Sequence, residues 1–223
     1  MTTNKSTNMP PLSFSSLSLF ETCPHKYYRT KVIKDVVEET SEHLIWGTTV
    51  HELFESAVKD KTALPPILEK FQPHIDTILA FDGEIFTEHQ LAVNYDFTPV
   101  AWEAADAFFR GIADLICIRD TSALVLDYKT GKKRITDQVK LLCLLLSAHR
   151  PEILTFTAGY LWIQSNELSS VVLTKEDVHD TIFSLRNRIR VVEQAYQTDE
   201  WAKTKNWLCR KWCPVIDCEH CGA

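Results

Sequence analysis

Residues 110–133 read RGIADLICIRDTSALVLDYKTGKK. Two aliphatic runs, 110–118 and 123–129, flank a short polar break at Asp120 and Thr121, the pattern of two antiparallel strands joined by a tight turn. A two- or four-residue loop centred on that dipeptide sets Asp114 opposite Asp127. Directly opposed residues carry Cβ atoms about 4.5–5.5 Å apart, and like charges placed there repel. A cation between the two carboxylates removes that penalty, and carboxylates with water are what Mg²⁺ prefers. Side chains alternate along a strand, so Lys129 shares a face with Asp127 while Tyr128 turns away. A lysine beside a metal site orients or deprotonates a water and offsets charge on a phosphoryl transition state. Asp114, Asp127 and Lys129 around Mg²⁺ or Mn²⁺ therefore predict metal-assisted hydrolysis of a phosphodiester.

Outward from the hairpin, the same period predicts a preceding strand at 88–97 and later strands at 153–164 and 169–173. Val50, Leu53, Phe54 and Ala57 recur at helical spacing between Thr48 and Lys59, predicting an amphipathic helix entered through Gly47. Other helices are expected from Ser13 to about Lys31, after Pro65-Pro66, and from Ile135 to His149, the last apolar on most sides and hence buried. Thr174 with Asp177 resembles a capping box. The helix it opens carries the stripe Val178, Ile182, Leu185, Ile189, Val192 and Tyr196. Residues 1–11 are polar, aperiodic and end in two prolines, so they are expected to be a disordered tail. Helices, a strand meander, a helix, more strands and a helix make a mixed α/β protein, with 12–223 as a single domain.

The bulk composition is that of a soluble globular chain: 223 residues, 45% hydrophobic and 24% charged. A net charge of −6 argues against non-specific coating of nucleic acid while leaving room for a local basic groove. The longest apolar run, Leu141 to Leu146, is too short to span a bilayer, and no segment reads as a signal peptide. A cytoplasmic location follows, without a membrane partner. In such a reducing compartment the seven cysteines are expected as thiols or metal ligands rather than disulfides. Cys117 and Cys143 sit in apolar stretches and read as core.

The segments SFSSLSLFETCPHKYY (13–28), GTTVH (47–51), GIADLI (111–116), LDYKTGK (126–132) and the cysteine-rich end together resemble the PD-(D/E)xK nuclease superfamily. The resemblance points to its RecB/AddB-like exonuclease branch, phage-type members included, and runs from Ser13 to Cys218. It implies a restriction-endonuclease-like three-layer αβββαβ core, with a mixed central sheet flanked by helices. It also implies that His51 is a helix-borne metal ligand, that Asp114, Asp127 and Lys129 are the motif residues, and that the backbone carbonyl of Tyr128 contacts the metal. Glu88 resembles the acidic residue of the preceding strand, and Gln138 the glutamine of the downstream helix. That branch follows the glutamine with a tyrosine four residues on, where this chain has Leu142.

The C-terminal CRKWCPVIDCEHC has the cysteine density of a metal site without choosing the metal: four thiolates suit zinc or a [4Fe–4S] cluster. The resemblance implies a cluster on Cys23, Cys209, Cys213 and Cys218, a clasp between the two ends of the domain that leaves Cys221 over. Its spacing departs slightly from the family pattern, one residue longer in the first interval and one shorter in the second, and Zn²⁺ stays open. Lys132, Lys133 and Arg134 follow the site directly and are predicted DNA contacts. Trp201, Trp207 and Trp212 either stack on bases or pack beside the clasp, with packing the favoured reading. The expected activity is that of a DNA exonuclease in recombination or repair, in the host cytoplasm if phage-encoded, with a recombination or replication protein as a further partner. A non-catalytic DNA-binding subunit and a metal-stapled interaction module are the competing readings.

Overall fold

The computed structural model describes residues 9–223. The chain divides into two compact units, Ser41–Ile182 and a second built from the segment up to Thr40 with Phe183–Ala223. Of the predicted tail, residues 1–8 lie outside the described residues. Met9–Pro11 carry no helix or strand, and Leu12 is buried. Among the described residues no helix is long and apolar enough to cross a membrane.

The larger unit holds a five-stranded sheet whose spatial order equals its chain order: β1 (Glu84–Val93), β2 (Phe109–Arg119), β3 (Ser122–Lys129), β4 (Thr155–Trp162) and β5 (Glu167–Thr174). All neighbours are antiparallel except β3 and β4. A parallel pair needs a crossover, here the helix α5 (Gln138–His149). The mixed sheet with flanking helices is the α/β class expected. The β2–β3 hairpin closes on Asp120-Thr121, with Arg119 opposite Ser122 and Leu115 opposite Leu126. Asp120 has a φ of 53°, the left-handed conformation a two-residue turn demands and aspartate tolerates. The pairing ends there, one step short of Asp114 and Asp127.

Helix α3 (Glu42–Lys59) starts six residues before the predicted Thr48: Ser41 accepts the Leu44 N–H and caps it, and Gly47 becomes a helix-interior residue. Its buried Val50, Phe54, Ala57 and Val58 join Leu115, Leu126 and Tyr128 of the sheet in one core. A 3₁₀ turn (Pro66–Phe71) and α4 (Gln72–Leu79) follow the two prolines and close this core with Leu68, Phe71 and Ile75. Buried on nearly every side, α5 begins at Gln138; Ile135, its predicted start, is 71% exposed. It lies so near β2 that a Cβ on Gly111 would stand 2.8 Å from Leu142 Cδ2.

In the other unit, the helix predicted from Ser13 to Lys31 is broken. Helix α1 (Phe14–Thr22) ends at Cys23, which is extended, and α2 (Pro24–Tyr27) restarts before a π-helical turn (Tyr28–Val32). Pro24 explains the break: proline disfavours helical geometry in the residue before it and is at home in a first turn. The predicted helix from Thr174 is also two, α6 (Lys175–His179) behind the expected Thr174–Asp177 capping box, and α7 (Thr181–Thr198). From Phe183 onward α7 belongs to the second unit, where Leu185, Ile189 and Val192 are buried. Trp201 stacks on Tyr28 at 4.9 Å between ring centroids.

Candidate active site

Glu88 has a φ of 45°, uncommon for a residue with a side chain. It falls where the β1–β2 ladder skips a pair, between Thr87↔Leu115 and His89↔Ala113, opposite Asp114. The kink brings its carboxylate within 3.4 Å of His51 Nδ1, on α3. Asp114 Oδ1 stands 3.3 Å from the same nitrogen, while its Oδ2 accepts the Tyr128 N–H at 2.5 Å. His51 Nε2 lies 3.1 Å from the Tyr128 carbonyl oxygen. One imidazole thus meets two carboxylates on one side and a carbonyl on the other. Ligand atoms of His51, Glu88 and Asp114 lie within 4.8 Å of one another, the one such trio of His, Cys, Asp or Glu among the described residues.

Burial depresses the His51 pKa, but Asp114 and Glu88 outweigh it and hold the imidazole up at about 10. A positive charge is what this nest is built to contain. Asp127, 2% exposed, is pushed up from the normal carboxylate range to about 6, by burial first and then by the charge on Asp114, against the pull of Lys129. Gln138 Nε2 donates to Asp127 Oδ1 at 2.6 Å, and Lys129 Nζ donates to Gln138 Oε1 at 2.9 Å. Lys129 Nζ is also 2.6 Å from Asp127 Oδ2. The contact is an ion pair poorly aligned for a hydrogen bond, so this buried oxygen lacks a well-directed donor.

The structure therefore brings together His51, Glu88, Asp114 and the Tyr128 carbonyl, and beside them Asp127, Lys129 and Gln138. Asp127 and Asp114 are electrostatic neighbours, yet Asp127 turns to Lys129 and Gln138 rather than joining the tight trio. Leu142, in place of the family's tyrosine, is buried against β2 at Gly111. Lys132, Lys133 and Arg134 lie exposed on the loop between β3 and α5, Lys133 paired with Glu167 at 3.1 Å. Sequence reasoning missed Thr136 and Tyr160, which contact each other at 2.8 Å next to Gln138. Only the β3–β4 pairing, which aligns Tyr160 with Asp127, reveals them.

In the second unit, Cys23, Cys209, Cys213 and Cys218 line one small cavity, and Cys221 is exposed. All seven cysteines are free thiols, with Cys117 and Cys143 buried as expected. Burial raises the Cys213 pKa, Lys26 lowers it, and the neighbouring Cys209 and Cys23 raise it further. Trp201 packs internally as favoured, whereas Trp207 and Trp212 are 69% and 59% exposed.

Two crystal structures are similar across nearly the whole chain. A Eubacterium rectale protein described as a candidate exonuclease matches with a TM-score of 0.58 and 12% identity, covering 99% of this chain and 92% of that one. The protein SSO0001 matches with a TM-score of 0.52 and 14% identity, covering 96% and 88%. At such identities the likeness is one of fold. No curated protein sequence matches. The sequence profile of the PD-(D/E)XK nuclease superfamily, however, matches residues 11–221, and the chain belongs to that superfamily.

Proposed function

We propose that this protein is a metal-dependent deoxyribonuclease, an exonuclease of the RecB/AddB-like, phage-type branch that works in recombination or repair. The observation carrying the reading is the convergence of His51, Glu88 and Asp114 within 4.8 Å, beside a lysine held against a buried aspartate. Mg²⁺ or Mn²⁺ fits this donor set: carboxylate oxygens, an imidazole, the Tyr128 carbonyl, and a buried Asp127 oxygen without a well-directed hydrogen bond. His51, Asp114, Asp127 and the Tyr128 carbonyl would hold the ion, with Glu88 close enough to add a donor. Such an ion neutralises phosphate charge and eases formation of a nucleophile from water.

The protein's own part is positional. Gln138 ties Asp127 and Lys129 into one rigid group, so the ammonium is presented at a fixed place to take or steer a proton and to offset charge on the phosphate. Lys132 and Arg134, with Lys133, put positive charge along the path a DNA backbone takes to the site. In the second unit the four cavity-lining thiols suit a [4Fe–4S] cluster. Tetrahedral zinc on four thiolates is the alternative occupant.

The test uses labelled linear and circular DNA, single- and double-stranded, with Mg²⁺ or Mn²⁺. Linear substrates are expected to shorten while circles persist, and Lys129→Ala should slow the reaction by roughly 10²- to 10⁴-fold. Equal behaviour of wild type and Lys129→Ala overturns the nuclease reading; cut circles overturn the exonuclease mode.

A further inference from the structure

Tyr160 lies on β4 alongside Asp127 of β3, yet its hydroxyl is not spent on the sheet. It donates to the Thr136 carbonyl at 3.1 Å, meets the Thr136 hydroxyl at 2.8 Å, and accepts the Val139 N–H at 3.4 Å. The Thr136 hydroxyl also accepts the Gln138 N–H at 3.4 Å. The donors and acceptors close without conflict: Gln138 N–H to Thr136 Oγ1, Thr136 O–H to Tyr160 Oη, Tyr160 O–H back to the Thr136 carbonyl. The phenol thereby satisfies the Val139 N–H, one of the amides a helix start leaves without an intrahelical partner, and ties it to the Thr136 carbonyl just ahead of the helix. The residue whose backbone this chain pins is Gln138, and its side chain joins Lys129 to Asp127. The Tyr160 ring also faces the Lys129 ammonium, 5.9 Å from its centroid, near the outer reach of a cation–π contact.

Resting on the nuclease reading above, we propose that Tyr160 is a positioning residue for the reaction, acting through Thr136 and Gln138 to fix the Lys129 ammonium against Asp127. Without the phenolic hydroxyl the first turn of α5 frays, the Gln138 amide loses its place, and the ammonium samples other rotamers. Small misplacements of a reacting group cost rate steeply, on the order of 10²-fold for about 1 Å. Substrate capture by the basic loop does not pass through this chain of contacts, and of the groups proposed to hold the ion only Asp127 touches it.

The experiment compares Tyr160→Phe, Thr136→Val and Thr136→Ser in the full-length protein, with Mn²⁺ and linear DNA. Tyr160→Phe and Thr136→Val should each lower kcat about 10- to 100-fold, with KM within about twofold of wild type. Combined, they should do no more than either alone, and Thr136→Ser should restore most of the rate. Amide hydrogen exchange at residues 136–139 should quicken in the two impaired variants and not in Thr136→Ser. Wild-type kcat in Tyr160→Phe overturns the proposal. So does a loss carried as much by KM as by kcat. If wild type proves no faster than Lys129→Ala, the nuclease reading has failed instead; unchanged exchange at 136–139 in Tyr160→Phe would then refute the hydroxyl latch on its own terms.

Discussion

A histidine flanked by two carboxylates holds either a proton or a metal ion, and His51 is set up for that exchange. Its pKa of about 10 is the outcome of burial, which lowers it, losing to Asp114 and Glu88, which raise it. The sign of the pH dependence follows. A raised folded pKa gives stability that is complete below the unfolded value near 6.5 and lost as pH climbs through about 10. Ligation needs the neutral ring, so near pH 7 an entering ion must expel the proton. Mn²⁺ binding is therefore expected to release about one proton at pH 7–8, and to tighten by about tenfold per pH unit until the curve flattens near pH 10. Titration calorimetry in buffers of different ionisation enthalpy reads this directly. A heat independent of buffer, or the same proton release from His51→Ala, would contradict it.

Among the elements, glycines show where backbone and neighbour decide what a position tolerates. A Cβ on Gly83, just before β1, would stand 2.3 Å from the Ile118 carbonyl oxygen and 2.4 Å from the Phe81 ring. Backbone cannot yield as a side-chain tip does, so Gly83→Ala should destabilise by about 1–3 kcal/mol. On Gly47, inside α3, the nearest atom is Thr130 Oγ1 at 3.5 Å, an ordinary contact. There the helix propensity of alanine should prevail, and Gly47→Ala should stabilise by up to about 1 kcal/mol. Denaturant unfolding of both variants checks the opposite signs; two losses of similar size would refute the account. Gly47 also shows why some boundaries were hard to read. As a supposed helix entry it hid the five preceding residues of α3, whose start is set by the short-range Ser41 cap. The hairpin was legible because a two-residue turn leaves one register, and the strands follow it from Arg119↔Ser122 to Leu115↔Leu126, one step short of the two aspartates. The break at Cys23-Pro24 was legible in principle through the proline and was overridden by the apolar spacing around it. Glu88 could be named but not oriented, since its left-handed backbone is imposed by the β1–β2 pairing. Tyr160 was invisible because its role depends on the parallel β3–β4 register, which no local pattern encodes.

At the scale of the whole chain, one compact unit is assembled from the beginning and the end of the sequence, and its thiols come from both: Cys23 from the first segment, Cys209, Cys213 and Cys218 from the last. Joining residues so far apart in sequence restricts the unfolded chain strongly, because loop-closure entropy grows with the length enclosed. A cluster bound there would thus act chiefly as a staple, and its loss should be felt in stability as well as colour. Protein purified without oxygen is expected to be brown, with broad visible absorption. Cys23→Ala should abolish the colour and lower the melting temperature, since it removes the one thiol from the N-terminal segment. Cys221→Ala should leave both unchanged, because that side chain is exposed and outside the cavity. A colourless protein with one zinc per chain would overturn the cluster; colour that survives Cys23→Ala and vanishes with Cys221→Ala would move the site to the C-terminal cysteines and remove the link between the two ends.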